Sequence, residues 1–186
     1  SDNEVNIKIL LNGLVNDGEL TLKQRNKLLY DMTDDVSRIV LKDCYRQTQS
    51  ISITELAGVK QLKEQLRFIH GLEREGQLNR ELEFIPSDDE ISDRVASDRG
   101  LTRPELSVLI AYGKMVLKDE LNIPDITDNP YHGRLLISAF PEVLRQKFQS
   151  HMQQHPLRSE IIATKLTNNM VNDMGLNFVF RLQEET

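Results

Sequence analysis

Three features of the sequence predict an all-α protein, a bundle-like array of many helices. Apolar residues recur three or four positions apart along most of the chain. Capping residues precede these periodic stretches, and glycine or proline follows them. No apolar–polar alternation is sustained, and hairpin dipeptides between β-branched runs are missing. Composition agrees. Hydrophobic residues make up 39% of the 186 and charged residues 28%, enough apolar content for a core and too much for a disordered chain. Aromatics are 5% with no Trp, so that core must be built of Leu, Ile and Val.

The opening residues, Ser1-Asp2-Asn3-Glu4-Val5-Asn6-Ile7-Lys8-Ile9-Leu10-Leu11, already read as helix, with Leu14 on the same stripe and a turn at Asn16-Asp17-Gly18. With no initial Met, and with the run Phe178-Val179-Phe180 close to the other end, the sequence reads as a piece of a longer protein. Thr21 suits the N-cap of a short helix through Leu28 and Leu29. Thr33 suits the cap of a third, with Asp34 and Asp35 facing the positive end of its dipole. Its buried side is expected to be Val36, Ile39, Val40 and Cys44.

Ser52-Ile53-Thr54-Glu55 has the form of a capping box. Behind it Leu56, Val59, Leu62, Leu66 and Ile69 predict the clearest long helix, ~5–6 turns at ~3.6 residues each. Gly76 is its stop, and Lys60, Lys63, Glu64, Arg67 and Glu73 its polar face. Pro86 with Ser87-Asp88-Asp89-Glu90 repeats the sequence of breaker, cap and acidic first turn, for a helix to about Arg99 that stops at Gly100. Thr102-Arg103-Pro104-Glu105 opens the next, since Pro is tolerated where a helix N–H has no partner anyway. Leu106, Leu109, Ile110, Gly113 and Leu117 form its inner face.

Pro124 and Pro130 bracket a loop. A short helix around Leu135 to Phe140 follows, and Pro141 starts another. His155-Pro156 separates that from a helix carrying Ile162, Leu166 and Met170, which ends at Gly175. The total is about eight to ten helices. Residues 1–186 are read as one continuous helical unit, with Pro86 the point at which it would divide.

Net charge is −6, which argues against nucleic acid as the main partner, because phosphate binding needs a basic face. A single cysteine, Cys44, cannot form an internal disulfide and fits a reducing cytoplasm. No signal peptide or run of bilayer-spanning length is present in the sequence, so no membrane partner is expected.

Candidate chemistry is sparse. His151 and His155 stand four apart and could share a helix face as zinc ligands, but no third ligand or base accompanies them. A pair at the end of a helix is the favoured reading. Cys44 lacks the nearby base a catalytic thiolate needs and reads as a buried small apolar residue. Asp34-Asp35 and Asp88-Asp89-Glu90 directly follow caps, so dipole compensation accounts for them.

Arg99-Gly100-Leu101-Thr102-Arg103-Pro104-Glu105-Leu106 is the most unusual segment. It joins a helix stop to a helix start and places Arg99 and Arg103 as cations for an anionic effector or a neighbouring domain. A purely structural helix corner is an equal reading. No glycine-rich dinucleotide or P-loop motif and no G-x-S-x-G occurs. By itself the chain does not read as an enzyme; no catalytic, cofactor-binding or metal residue is assigned.

Several segments, in order, resemble the large bacterial NAD-specific glutamate dehydrogenases. They are the opening eleven residues quoted above and Asp31-Met32-Thr33-Asp34-Asp35-Val36. Next come Phe68-Ile69, Leu72-Glu73-Arg74-Glu75-Gly76 and Leu82-Glu83-Phe84-Ile85. The Arg99–Leu106 corner, Glu160-Ile161-Ile162-Ala163-Thr164 and Phe178-Val179-Phe180-Arg181-Leu182 complete the set. One departure is Asn3, where the family often has His; we read the position as helix-capping.

The resemblance implies a parent enzyme that oxidises L-glutamate to 2-oxoglutarate and ammonia while reducing NAD. Its hydride-transfer site and NAD fold would lie before Ser1. Residues 1–186 would be the start of its helical C-terminal region, packing on the catalytic domain of the same chain, joining subunits of a homo-oligomer, or regulating it. The competing class is a helical interaction or regulatory module unrelated to that chemistry; a DNA-binding module ranks third.

Overall fold

The structure is a computed structural model that describes residues 2–176 and 178–179. Phe180, Arg181 and Leu182 of the closing apolar run lie outside the described residues. Among those described there are helices and turns but no strand, so the all-α expectation holds. The α-helices are α1 (Asp2–Asn16), α2 (Leu22–Asp31), α3 (Thr33–Ala57), α4 (Leu62–Arg74), α5 (Asp88–Ala96), α6 (Arg103–Leu121), α7 (Pro124–Thr127), α8 (Gly133–Ser138), α9 (Glu142–Gln153) and α10 (Arg158–Met174).

The helix boundaries follow local chemistry. Thr21 caps α2 as a full capping box, its hydroxyl accepting from the Gln24 N–H and its own N–H donating to the Gln24 side chain. Ser87 and Glu90 do the same for α5. Thr102 donates its N–H to Glu105 Oε2 at 2.7 Å, fixing the start of α6. Phe148 departs from helical φ/ψ inside α9 and kinks it.

Four expectations need correction. Ser52–Glu55 caps nothing: it lies inside α3, which runs on to Ala57. The Ser52 and Thr54 hydroxyls donate back to the Thr48 and Ser50 carbonyls at 3.0 and 2.9 Å, so they are satisfied within a helix. The break comes instead at Gly58, whose φ of +54° an L residue rarely adopts. A 3₁₀ turn, Gly58–Gln61, then leads into α4.

Thr33 does not cap α3 either; its hydroxyl donates to the Leu29 and Tyr30 carbonyls at 3.2 and 2.9 Å and closes the end of α2. The loop bracketed by Pro124 and Pro130 contains the single turn α7 and a 3₁₀ turn, Pro130–His132, each with Pro near its start. The helix before Gly100 stops at Ala96, with Asp98 at φ +53°.

The chain forms two compact units, made by the described residues of 1–45 with 118–166 and of 46–117 with 167–186. In the first, Ile7, Leu10, Leu11 and Leu14 of α1 pack with Met32, Phe140, Leu144 and Ile162. In the second, Leu106, Leu109, Ile110 and Gly113 of α6 are buried, as are Phe68 and Ile69 of α4. The expected inner face of α6 is thus the observed one.

Candidate functional site

The first unit carries an apolar groove between α1, α2 and α3, with a volume of about 570 Å³. Ile7, Leu29, Met32, Val36, Val40 and Leu41 line it, with Glu4 and Lys8 on the α1 side. The wall from α1 and Met32 belongs to the packed core. Of the wall from α3, Val36 packs against that core, while Leu41 stands in solvent. In its 25 residues α3 fully buries only Ser50 and Thr54. Val36, Ile39 and Val40 are half-buried, and Leu41 and Tyr45 are 69% and 67% exposed.

Cys44, one turn beyond Val40 and Leu41, is exposed, which corrects the expectation of a buried thiol. A helix of this length normally hides one apolar stripe. Covering each such large apolar side chain would contribute about 1.5–3 kcal/mol. The groove is therefore the candidate interaction surface of the first unit.

The second unit holds the corner singled out in the sequence, and its real framework is a pair that sequence reasoning missed. Arg94 donates through Nη1 and Nη2 to Glu105 at 2.6 and 2.9 Å, a bidentate ion pair that ties α5 to α6. Burial disfavours the Glu105 carboxylate, but the hydrogen bonds from Arg94 and Thr102 outweigh it and hold its pKa below the usual glutamate range. The hydrogen bond from Arg94 to Glu105 likewise outweighs desolvation and raises the Arg94 pKa.

Gly100 does not serve as a helix cap. A Cβ there would stand 3.0 Å from Gly58 Cα and C, so the α5–α6 link passes directly against the break between α3 and α4. The structure gives the two named arginines different surroundings. Arg103 donates through Nη1 to Glu55 Oε2 at 2.7 Å and to Ser52 Oγ at 3.0 Å, tying α6 to α3. Arg99 is exposed, and its backbone N–H donates to the Arg94 carbonyl at 2.8 Å.

His151 and His155 have separate partners. His151 Nε2 meets Glu19 Oε1 at 2.8 Å. His155 is buried, with Nε2 3.1 Å from the Asn6 carbonyl and Nδ1 accepting from the Leu157 N–H at 3.0 Å. Desolvation lowers its pKa. An Nδ1 that accepts and an Nε2 that donates describe a neutral imidazole holding α1 to the start of α10. Asn3 lies in the first turn of α1 and reaches across to Asp43 of α3, its amide donating at 3.4 Å. Asp88 accepts from His70 Nε2 at 3.0 Å and Arg80 Nη1 at 2.8 Å, and these contacts, His70 first, lower its pKa.

Comparison with known proteins adds the family. Residues 1–54 match a family model described as the catalytic domain of bacterial NAD-glutamate dehydrogenase, and residues 98–186 match one described as glutamate dehydrogenase, C-terminal. The groove of α1–α3 lies wholly within the first match. Over its full length the chain is 48% identical to the NAD-specific glutamate dehydrogenase of Halomonas elongata and 47% to that of Pseudomonas aeruginosa. Identity to the Mycobacterium tuberculosis enzyme of the same name is 37% over 185 residues. The chain spans 12% of the length of the first two relatives and 11% of the third. Two family matches in chain order, with relatives aligned along the whole of this chain, place it in the family of bacterial NAD-specific glutamate dehydrogenases.

Proposed function

We propose that this chain is a non-catalytic helical part of an enzyme that oxidatively deaminates L-glutamate to 2-oxoglutarate and ammonia with NAD as hydride acceptor. Its role is to pack against the catalytic region of the same polypeptide through the α1–α3 groove. The observation that carries this is the apolar face of α3, which the described residues cover only in part, leaving Leu41 and Tyr45 exposed, although it lies in the stretch matched to the catalytic-domain model. A cytoplasmic homo-oligomer belongs to the same reading.

The described residues contain no strand, so they offer no strand–turn–helix cradle for a pyrophosphate. No step of hydride transfer is assigned to them. Arg103 is best understood as a tie within its unit, because Glu55 and Ser52 hold it. Arg99, exposed like Arg103 but not tied to Glu55, is the one we assign to a neighbouring region.

The test is glutamate-dependent NAD reduction by the full-length protein, wild type and Leu41→Asp. A charge forced into a packed apolar joint leaves a buried group without a partner. The variant should lose stability and activity together. Wild-type activity in the variant, at an unchanged unfolding midpoint, rejects the groove as a packing surface.

A further inference from the structure

The turn between α4 and α5 holds two large apolar side chains in solvent. Leu82 is 71% exposed and Phe84 87% exposed. Phe84 also has φ +55°, a left-handed conformation that a bulky residue rarely adopts. The turn is tightly built. Asn79 Oδ1 accepts from the Leu82 N–H at 3.0 Å, and the Asn79 carbonyl accepts from the Glu83 N–H at 3.1 Å. The Ile85 N–H donates to the Arg80 carbonyl at 3.0 Å, and the Tyr112 hydroxyl donates to Glu83 Oε1 at 2.9 Å. Leu78 and Ile85 anchor its two ends in the interior. Strained backbone persists where the surroundings fix it, and it gathers at sites that bind.

We propose that Leu82 and Phe84 form a preformed knob that seats in an apolar socket, rimmed by basic side chains, in the catalytic region of the same full-length polypeptide. This rests on the reading of the chain as a segment of the dehydrogenase. Glu81, exposed directly before Leu82, calls for the basic rim, while Glu83 between the two apolar residues is held by Tyr112. The occupant follows from chain organisation. Residues 46–54 belong both to the knob's own compact unit and to the stretch matched to the catalytic-domain model. The relatives' sequences extend far beyond the 12% that this chain spans, which leaves ample chain to form the socket. A rigid turn that already presents its anchors loses little entropy on docking.

The experiment replaces Phe84 of the full-length protein with the photocrosslinker p-benzoylphenylalanine and maps the crosslinked peptides by mass spectrometry. The expected product runs as a single polypeptide joined to a catalytic-region peptide outside residues 1–186, and a peptide outside both overturns the proposal. A crosslink to a second copy, a crosslink within residues 1–186, or none overturns the proposal. Phe84→Gly and Phe84→Asn give an independent reading, because both relieve the left-handed strain. A docked knob predicts a lower unfolding midpoint for both, whereas an unchanged or raised midpoint rejects docking. Glutamate-dependent NAD reduction by the wild type is measured alongside. Its absence removes the dehydrogenase reading, while the crosslink reports on the knob alone.

Discussion

Helices α3 and α6 are the two longest among the described residues, and they bury their apolar faces to very different degrees. Within its 19 residues α6 buries Leu106, Leu109, Ile110, Gly113, Val116 and Leu117. Over 25 residues α3 buries only two small hydroxyl side chains and leaves Leu41 and Tyr45 in solvent. Both have an apolar stripe at helical spacing. The difference is that α6 meets its partners inside this chain, whereas the stripe of α3 faces a groove. A helical period shows that a face will be covered, but it does not say by what.

The largest effect is expected in α6. Leu109→Ala should lower the unfolding free energy by about 2–5 kcal/mol in denaturant titration, the range for a fully buried leucine. A change below ~1 kcal/mol would mean that the α6 face is no better packed than α3.

Next comes the ion pair at the α5–α6 corner. Glu105→Ala leaves the Arg94 guanidinium partly buried without its carboxylate and should cost about 1.5–3 kcal/mol. The pair also sets a pH dependence. The Glu105 pKa is lower in the folded protein than the ordinary 4.5, so its contribution is complete above that value and is lost as pH falls through the lowered one. Glu105→Gln should flatten that part of the acid-unfolding curve, and an unaltered curve would show that the pair carries no such linkage.

Gly100→Ala tests the close approach to Gly58. With 3.0 Å between the new Cβ and backbone atoms, the link must shift, at about 1–3 kcal/mol. A neutral result would show that the two backbones can separate freely.

The smallest effect should fall on α3. Leu41→Ala should change the stability of the 186-residue chain by no more than about 0.5 kcal/mol, since the side chain is exposed there. In the full-length protein the same substitution should cost measurably more. Equal effects in the two settings would remove the reason for treating α3 as unfinished.

What was legible in the sequence was local. Thr21 and Ser87 announced their helices because a capping box is complete within four residues. The inner face of α6 was read from spacing alone, because its partners lie within the chain. Ser52–Glu55 misled for the same reason that it attracted notice. The pattern is a cap only if the preceding residues leave the helix, and α3 does not stop there.

Cys44 was misplaced because helical spacing shows a stripe but not what packs on it, and the described residues leave the thiol exposed. The Arg94–Glu105 pair and the Gly58–Gly100 approach depend on which helix ends meet. Arg94 and Glu105 stand eleven residues apart across a helix corner, and no periodic signal links them. Of the candidate site, Ile7, Val36 and Val40 were visible on two amphipathic stripes, but Met32, Leu41 and the meeting of the stripes were not.

The most direct test of the central claim is peptide-resolved thiol labelling of Cys44 in the full-length protein, native against urea-unfolded. The thiol lies one turn beyond the groove on the exposed face of α3. If the catalytic region covers that face, native Cys44 should react at least about tenfold more slowly than in the unfolded protein, a protection of roughly 1.4 kcal/mol or more. Labelling at nearly the unfolded rate would show that the face stays open in the full-length protein and would contradict the packing role.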